Sequence, residues 1–490
     1  MKFLLRLLLF VSVVGSFIIH GCSKEKFLDG EEFKPNFSVD TVWFDTLFTT
    51  LGSTTKRLKV FNPFKGRMSI NTVRLAQGNA SSFRLNVDGL PGNSFQNIEI
   101  GAEDSIYIFV EVTIDPNNDN LAFLVEDDLI FETKGVTQSV KLVAYGQNAV
   151  FYRADIFPTN GLPPYSVIPC NTTWTNEKPV VIIGYAVVDS DCKLTIEAGT
   201  RVHLYNNSGL WVFQNGELEV NGTLEDSVYF QGVRKESYYQ NVAGQWDRIW
   251  INQGSNNNKI NYAVIKNGFI GLQCENVESF GPGNQLGKLT LTNTKIYNFS
   301  GLGMFLKDYT VDAGNLLMYD CKDYLIGIVR GGNYRFRHAT LANYWSSDIR
   351  QNPAIYFTNS SNTPSESSKP LTQCYFGNSI IYGNIQNGKE IGFDRDAAVG
   401  FDFKFENSLI RVDNDFDTSD PNQFVGILKN EDPKFVSTFD RIYKLTSSSP
   451  AINFGSANIT NAAVAFPLDI TGFNRLQDAA PDAGCFEFKP

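Results

Sequence analysis

Six segments of the chain repeat one register: residues 262–267, 293–298, 315–320, 338–343, 378–383 and 407–412, typified by Asn293-Thr294-Lys295-Ile296-Tyr297-Asn298. Met318 follows Ile296 by 22 positions and Leu341 follows Met318 by 23, the length of one three-sided β-coil. The longer gaps of 31, 40 and 29 residues hold insertions that point outward. Ile265, Ile296, Met318, Leu341, Ile381 and Ile410 are then expected to stack as an interior column at the strand spacing of ~4.8 Å. Beside them, small residues two positions earlier (Ala263, Thr294, Ala339, Ser379, Ser408) point inward, with Leu316 as the exception. Two positions after each aliphatic stands Asn267, Asn298, Asp320, Asn343 or Gly383, residue types that tolerate positive φ and let the chain turn into the next face. Val412 breaks that rule, so the winding becomes irregular there. Upstream, 194–196, 210–212 and 228–230 are apolar runs 16 and 18 residues apart, each beside a Gly turn, and extend the coils toward residue 149. Parallel crossovers predict a right-handed winding.

Before residue 149 the pattern is different. Seven short alternating runs between about Leu58 and Ala144 are separated by turn signals, the signature of a β-sandwich. Gly, Asn, Ser and Thr are abundant, only four Met occur, and β-branched and aromatic residues dominate the apolar set, which favours an all-β protein. The formal net charge of −10 argues against nucleic acid as a partner, since phosphate neutralisation needs clustered Lys and Arg. The expected organisation is a targeting segment over 1–22, a tether over 23–38, a sandwich over 39–148 and a parallel β-helix over 149–490.

The targeting segment carries Lys2 and Arg6, an apolar stretch from Leu4 to Ile19, and Ile19-His20-Gly21-Cys22 at its end. This resembles the bacterial lipoprotein lipobox, and the resemblance implies acylation of Cys22, a membrane held through the N-terminal lipid, and an outer-membrane location facing the cell surface or the periplasm. The sandwich, with Val60-Phe61-Asn62-Pro63, Ser82-Phe83, the 101–105 turn and Asp115-Pro116 in order, resembles immunoglobulin-like modules of the abnormal-spindle and hydin type. Gly244-Gln245-Trp246-Asp247-Arg248-Ile249-Trp250-Ile251 and the closing Asp469-Ile470-Thr471-Gly472-Phe473-Asn474-Arg475 and Pro481-Asp482-Ala483-Gly484-Cys485-Phe486-Glu487 resemble right-handed parallel β-helix lipoproteins of Bacteroidota-type bacteria. Cys485 and Phe486 stand where Ala and Tyr are more usual in that family. That fold hosts lyases, glycosidases, adhesins and scaffolds, so the resemblance implies no activity.

Beyond Cys22 there are six Cys, none in a Cys-x-x-Cys pair; Cys170 and Cys192 are placed to close a loop, and buried thiols are the preferred reading. A lyase would need a carboxylate cluster and a basic residue on one face, and Asp320, Lys322, Asp323, Arg330, Arg335, Arg337 and His338 are close in sequence across two coils. Asp320 already serves a turn, and Arg335 and Arg337 alternate as solvated strand residues do. Asp413, Asp415 and Asp417 suggest a Ca²⁺ loop, but the sharp-turn Gly is missing and Phe424 occupies position twelve, so a solvated acidic loop with no cofactor is preferred. An outward ladder of Lys266, Tyr297, Tyr319, Tyr382 and Arg411 offers rings to sugar faces, unless apolar Val264, Leu317, Ile380 and Leu409 mark that face as covered. Trp174, Trp246 and Trp345 are further candidates for a sugar site. The resulting expectation is a non-catalytic surface lipoprotein that binds glycans or surface proteins, with a glycan-cleaving enzyme, foremost a polysaccharide lyase, and a structural envelope component as alternatives.

Overall fold

The computed structural model describes residues 26–489 apart from 119, 281–286, 362, 364, 365 and 462–464. The targeting segment and Cys22 lie outside the described residues. The chain forms two compact units, Met1–Asn148 and Ala149–Pro490.

Among the described residues, the first unit is a sandwich of two five-stranded sheets. One is ordered Asn36–Phe37, Lys56–Phe61, Ser105–Val112, Phe83–Val87, Leu90–Gly92; the other Thr41–Phe48, Val136–Gln147, Phe123–Thr133, Met68–Leu75, Ser94–Ile100. All seven runs read from the sequence are strands. Their period of two sends Leu58, Val60, Ile108 and Val110 inward to meet Val73, Leu129, Phe131 and Leu142 of the facing sheet, every one fully buried.

The second unit is a parallel β-helix. Val180–Ile183, Tyr185–Val188 and Lys193–Glu197 form one coil, and each pairs in parallel with the strand three further along the chain: Arg201–Leu204, Gly209–Val212 and Glu217–Asn221. These define a first, a second and a third face. In Lys288–Phe299, Met304–Cys321 and Ile326–Asn343 the strand continues round the corners from one face to the next.

The interior column on the first face is as the spacing predicts. Ile265 pairs with Ile296, Ile296 with Met318, Met318 with Leu341, Leu341 with Ile381 and Ile381 with Ile410. Asn267, Asn298 and Asp320 adopt φ of 69°, 63° and 53°, but Asn343 and Gly383 round that corner without positive φ. The corner where the third face enters the first is the more regular: Tyr262, Asn293, Asn315, His338, Asn378 and Asn407 take φ of 46° to 52° in successive coils. Asn side chains tie both corners together, Asn315 donating to Asn293 at 2.8 Å and Asn298 to Asn267 at 2.7 Å. Behind the third face the interior turns aromatic, with Phe336, Phe376, Phe405 and Phe424 stacked in sequence at 4.8, 5.2 and 5.7 Å.

Cys170 and Cys192 form a disulfide, which corrects the preference for thiols at these two positions. They precede Thr172–Trp174 and Lys193–Glu197, neighbouring strands of the third face, so their Cα atoms are brought to 4.8 Å. Cys274, Cys321, Cys374 and Cys485 are buried thiols.

After Phe424–Lys429 the chain makes a hairpin of Phe435–Ser437 with Ile442–Leu445 and then crosses the outside of the first face. Tyr443, Ile470, Cys485 and Phe486 pack on Leu317, Tyr319 and Ala342, while Leu445, Ala451 and Ala483 pack on Ile380 and Leu409.

Candidate functional site

The crossing settles the fate of the predicted Tyr ladder. Tyr297 and Tyr319 stack on each other at 4.5 Å and 7°, and Tyr319 meets Tyr443 at 5.1 Å, leaving it 9% exposed. Arg411 lies 5.3 Å over the Tyr382 ring, and Lys266 is half-buried, its ammonium pKa lowered by burial. The ring faces are occupied by protein, so this ladder is a packing seam and not an open platform for sugar.

The carboxylates considered for lyase chemistry, Asp320 and Asp323, do not meet Arg335 or Arg337. Asp320 lies at the exit from the first face, where burial raises its pKa although Arg441 donates to it at 2.5 Å. Lys322 pairs with Asp348 at 2.9 Å, and Asp323 accepts from Asn352 at 3.2 Å, both in the corner loop. Arg335 and Arg337 sit on the third face, where they clamp Asp312 at 2.6 and 2.9 Å. Burial of Asp312 opposes ionisation, but the two guanidiniums hold it below the usual carboxylate range. Arg337 is sealed by Phe466, 4.8 Å from its guanidinium. Near Asp413, Asp415 and Asp417 the Lys429 ammonium donates to the carbonyls of Asn414 and Phe416 at 2.9 and 2.7 Å, putting a cation of the protein's own into the loop. Among the described residues no three His, Cys, Asp or Glu are grouped to hold a metal ion. Trp174, Trp246 and Trp345 are all buried, the Trp246 indole N–H donating to the carbonyl of Lys266 at 2.8 Å.

A different set of rings lines the outside of the second face. One outward register runs Trp211, Trp250, Gln273, Phe305, Gly327, Tyr356, Gly392. Trp211 is buried among Tyr165, Phe213, Phe280 and Trp250, whereas Trp250, Phe305 and Tyr356 are half-exposed, Trp250 with one ring face stacked on Trp211 at 4.7 Å and the other left for a ligand. These three recur in every second coil, an advance of about 10 Å, with Gln273 and Gly327 in the coils between. Exposed Phe269 lies beside the strip, 5.9 Å from the guanidinium of Arg248.

Carboxylates fix the planes of three rings on this face, while the Trp211 indole N–H donates to Asn252 at 2.6 Å. The Trp250 indole N–H donates to Glu275 at 2.7 Å, the Tyr356 hydroxyl to Asp394 at 2.8 Å, and the Tyr185 hydroxyl to Asp247. Burial together with Asp394 pushes the Tyr356 phenol up to about 12, so it stays a donor at any physiological pH. Gln273 also donates to Glu275 at 2.6 Å and accepts from Arg248. The carboxylates are thus engaged in orienting rings.

Residues 366–369, in the insertion that follows Ile355–Thr358, flank the strip. Lys307 holds Glu366 at 2.7 Å and Asp308 holds Lys369 at 2.5 Å. Buried Arg330, at φ 59°, donates through its side chain to the carbonyl of Ser367 at 3.0 Å and reaches Glu278 on the 276–280 segment. The ion pairs thereby set the edge of an apolar track. A second concavity, a groove of about 260 Å³ on the third face, is lined by Gln373, Tyr375, Asp402, Lys404 and Asn422; next to it Glu406 takes Lys404 at 3.0 Å and the Tyr375 hydroxyl at 3.1 Å.

The sequence signal for the strip is thin. Arg248-Ile249-Trp250-Ile251 alternates as a strand with Trp250 outward, but second-face strands lack the Asn-marked register of the first face. The insertions between coils also put Phe305 and Tyr356 at uneven separations in sequence.

No family model matches the chain, and no curated protein matches it. Among solved structures, a family 123 glycoside hydrolase from Clostridium perfringens is 5% identical with a TM-score of 0.18, over 24% of this chain. The chain spans 28% of that hydrolase's length. The catalytic unit of a thermostable GH87 α-1,3-glucanase from Streptomyces thermodiastaticus is 10% identical with a TM-score of 0.25, over 76% of this chain and 88% of that one. At these scores neither neighbour's activity transfers to this chain.

Proposed function

We propose that this protein binds glycan chains without cleaving them, along the second face of its β-helix, and is held at the outer membrane by lipid on Cys22. The observation that carries the reading is the recurrence of Trp250, Phe305 and Tyr356 at every second coil of one outward register. Two coils span about 10 Å, close to two pyranose rings of an extended chain, so one ring serves every second sugar of a chain laid along the helix axis. Apolar sugar faces stack on flat aromatic side chains, and a rigid sheet holds those side chains in place before the ligand arrives. The carboxylates of the strip are spent on orienting its rings, which favours retention over hydrolysis.

The test is affinity electrophoresis of the whole protein through gels carrying soluble β-linked and α-linked glucans, alongside the Trp250→Ala, Phe305→Ala and Tyr356→Ala variants and their triple combination. Each single change is expected to weaken retention by about 0.5–1.5 kcal/mol, a factor of roughly two to twelve; Phe305→Ala and Tyr356→Ala should leave the thermal midpoint near the parent's, whereas Trp250→Ala, which also removes a ring stacked on Trp211 at 4.7 Å, should lower it. Retention of the triple variant equal to that of the parent on every glucan that slows the parent would sink the proposal. Release of new reducing ends or unsaturated sugars would replace it with the enzymatic reading.

A further inference from the structure

A second aromatic surface lies on the sandwich unit. In Lys56–Phe61 the inward residues Leu58 and Val60 are fully buried, so Arg57 and Lys59 point out of the sheet. In the adjacent strand Ser105–Val112, Ile108 and Val110 are inward and Tyr107 and Phe109 outward. The antiparallel register sets Arg57 opposite Phe109 and Lys59 opposite Tyr107. On the other sheet Trp43 projects from the edge strand Thr41–Phe48. Trp43 is 60% exposed, Phe109 40% and Tyr107 39%. Trp43 and Phe109 border a groove of about 460 Å³ that also takes in Thr41, Thr55, Lys56 and Arg57.

Three features of this groove matter together. Exposed rings of this size on one surface cost solubility and are retained where something covers them. Lys56, Arg57 and Lys59 have no carboxylate within ion-pair distance among the described residues, in a chain whose net charge is −10. The nearby Glu111 carboxylate is held by the Thr55 hydroxyl at 2.5 Å. Arg57 and Lys59 instead lie 5.8 Å from the centre of the Tyr107 ring, keeping their charge above the aromatic surface.

We propose that this groove is a second binding site, for an anionic polysaccharide, with Trp43 and Phe109 stacking on sugar rings and Lys56, Arg57 and Lys59 holding carboxylate or sulfate groups. The groove, with the Thr41 hydroxyl among its lining, suits a chain lying in it; lying in a lipid surface would call for an amphipathic helix, whereas these rings stand on strands. The site is built on the sandwich alone and does not depend on the strip of the β-helix.

The experiment uses the full chain carrying the Trp250→Ala, Phe305→Ala and Tyr356→Ala changes, so that second-face binding does not contribute. Retention is measured on immobilised polygalacturonate, dextran sulfate and neutral dextran, and by co-sedimentation with phosphatidylglycerol vesicles. Binding to one or both acidic polymers is expected, with little to dextran or vesicles. Polygalacturonate assigns the cations to carboxylates, and dextran sulfate assigns them to sulfates. Trp43→Ala is expected to weaken that binding about tenfold. The Arg57→Ala/Lys59→Ala pair should also weaken it and reduce its dependence on salt, since fewer counterions are exchanged. All these side chains are outward, and an unchanged thermal midpoint confirms folding. Acidic-polymer binding that survives both sets of changes, equal binding to neutral dextran, preferential binding to vesicles, or no binding to either acidic polymer each overturns the proposal.

Discussion

His203 and His338 are sealed in the β-helix, 2% and 0% exposed. Burial, with Lys235 nearby adding to it, holds His203 down to about 3, and burial puts His338 well below its ordinary value. The unfolded imidazoles take up protons near 6.5, whereas the folded ones stay neutral to much lower pH. The unfolded chain therefore binds more protons between those limits, and stability falls as acid is added through that window. At pH 5 His203 alone is expected to withdraw about 2 kcal/mol relative to neutral pH. His203→Gln removes that contribution. His338→Asn also fits, because position 338 sits between Asn315 and Asn378 in the corner register at φ 51°. Urea midpoints of both variants should fall less than the parent's between pH 7 and 5; a parallel fall in all three would mean that the folded protein protonates these rings. This corner was only partly legible from the sequence. Asn267, Asn298 and Asp320 carried the expected positive φ, but the longer ladder lies at the opposite end of each first-face strand, and Asn tolerates a turn on either side.

At the scale of a coil, the interior column was the most readable feature, because a parallel register requires equivalent residues one winding apart. Met318 is held between Ile296 and Leu341 and is fully buried. Met318→Asp places an unpaired carboxylate in that column and is expected to cost at least 3–5 kcal/mol, of the order found for a buried charge left without its partner. Thr173→Asp, on the exposed outward side of the third face beside Thr195, should stay within about 0.5 kcal/mol. Circular dichroism in urea separates the two, and equal midpoints would mean that Met318 is not in a dry column. What the column did not reveal was the state of its outer side. Tyr319 is covered by Tyr443 and Phe486, more than 120 positions downstream, and local periodicity carries no information about so distant a cover. Asp320 and Arg335 were read as neighbours for a related reason: the intervening residues take the chain through the second face, so proximity in sequence separates them in space.

At the scale of the whole chain, what matters is how many coils a single event can release. A β-helix in which each coil touches only its neighbours unfolds in pieces unless something spans several of them. The segment after Lys429 does so. The Arg475 guanidinium, 0% exposed, donates to Glu487 at 2.5 Å and to Asn315 at 2.8 Å. Thr340 accepts the Cys485 amide at 2.9 Å, and Asn378 accepts the Ser456 amide at 2.8 Å. Asn315, Thr340 and Asn378 belong to three successive coils, so one clasp ties them into a unit. Arg475→Ala strands Glu487 and Asn315 in a site closed to water, and the expected loss is about 3–5 kcal/mol. Arg475→Met, which fills the same space but also removes the charge, should lose a similar amount, whereas Glu487→Gln paired with Arg475→Met should recover part of it, since no charge is then left unpaired. Because the clasp spans coils, the single variants should also broaden the urea transition and expose the Tyr297–Tyr319 seam to solvent, seen as near-ultraviolet dichroism lost before the far-ultraviolet signal. If Arg475→Ala unfolds at the parent's midpoint in one sharp step, the coils cohere through their own stacking and the clasp is a passive cover.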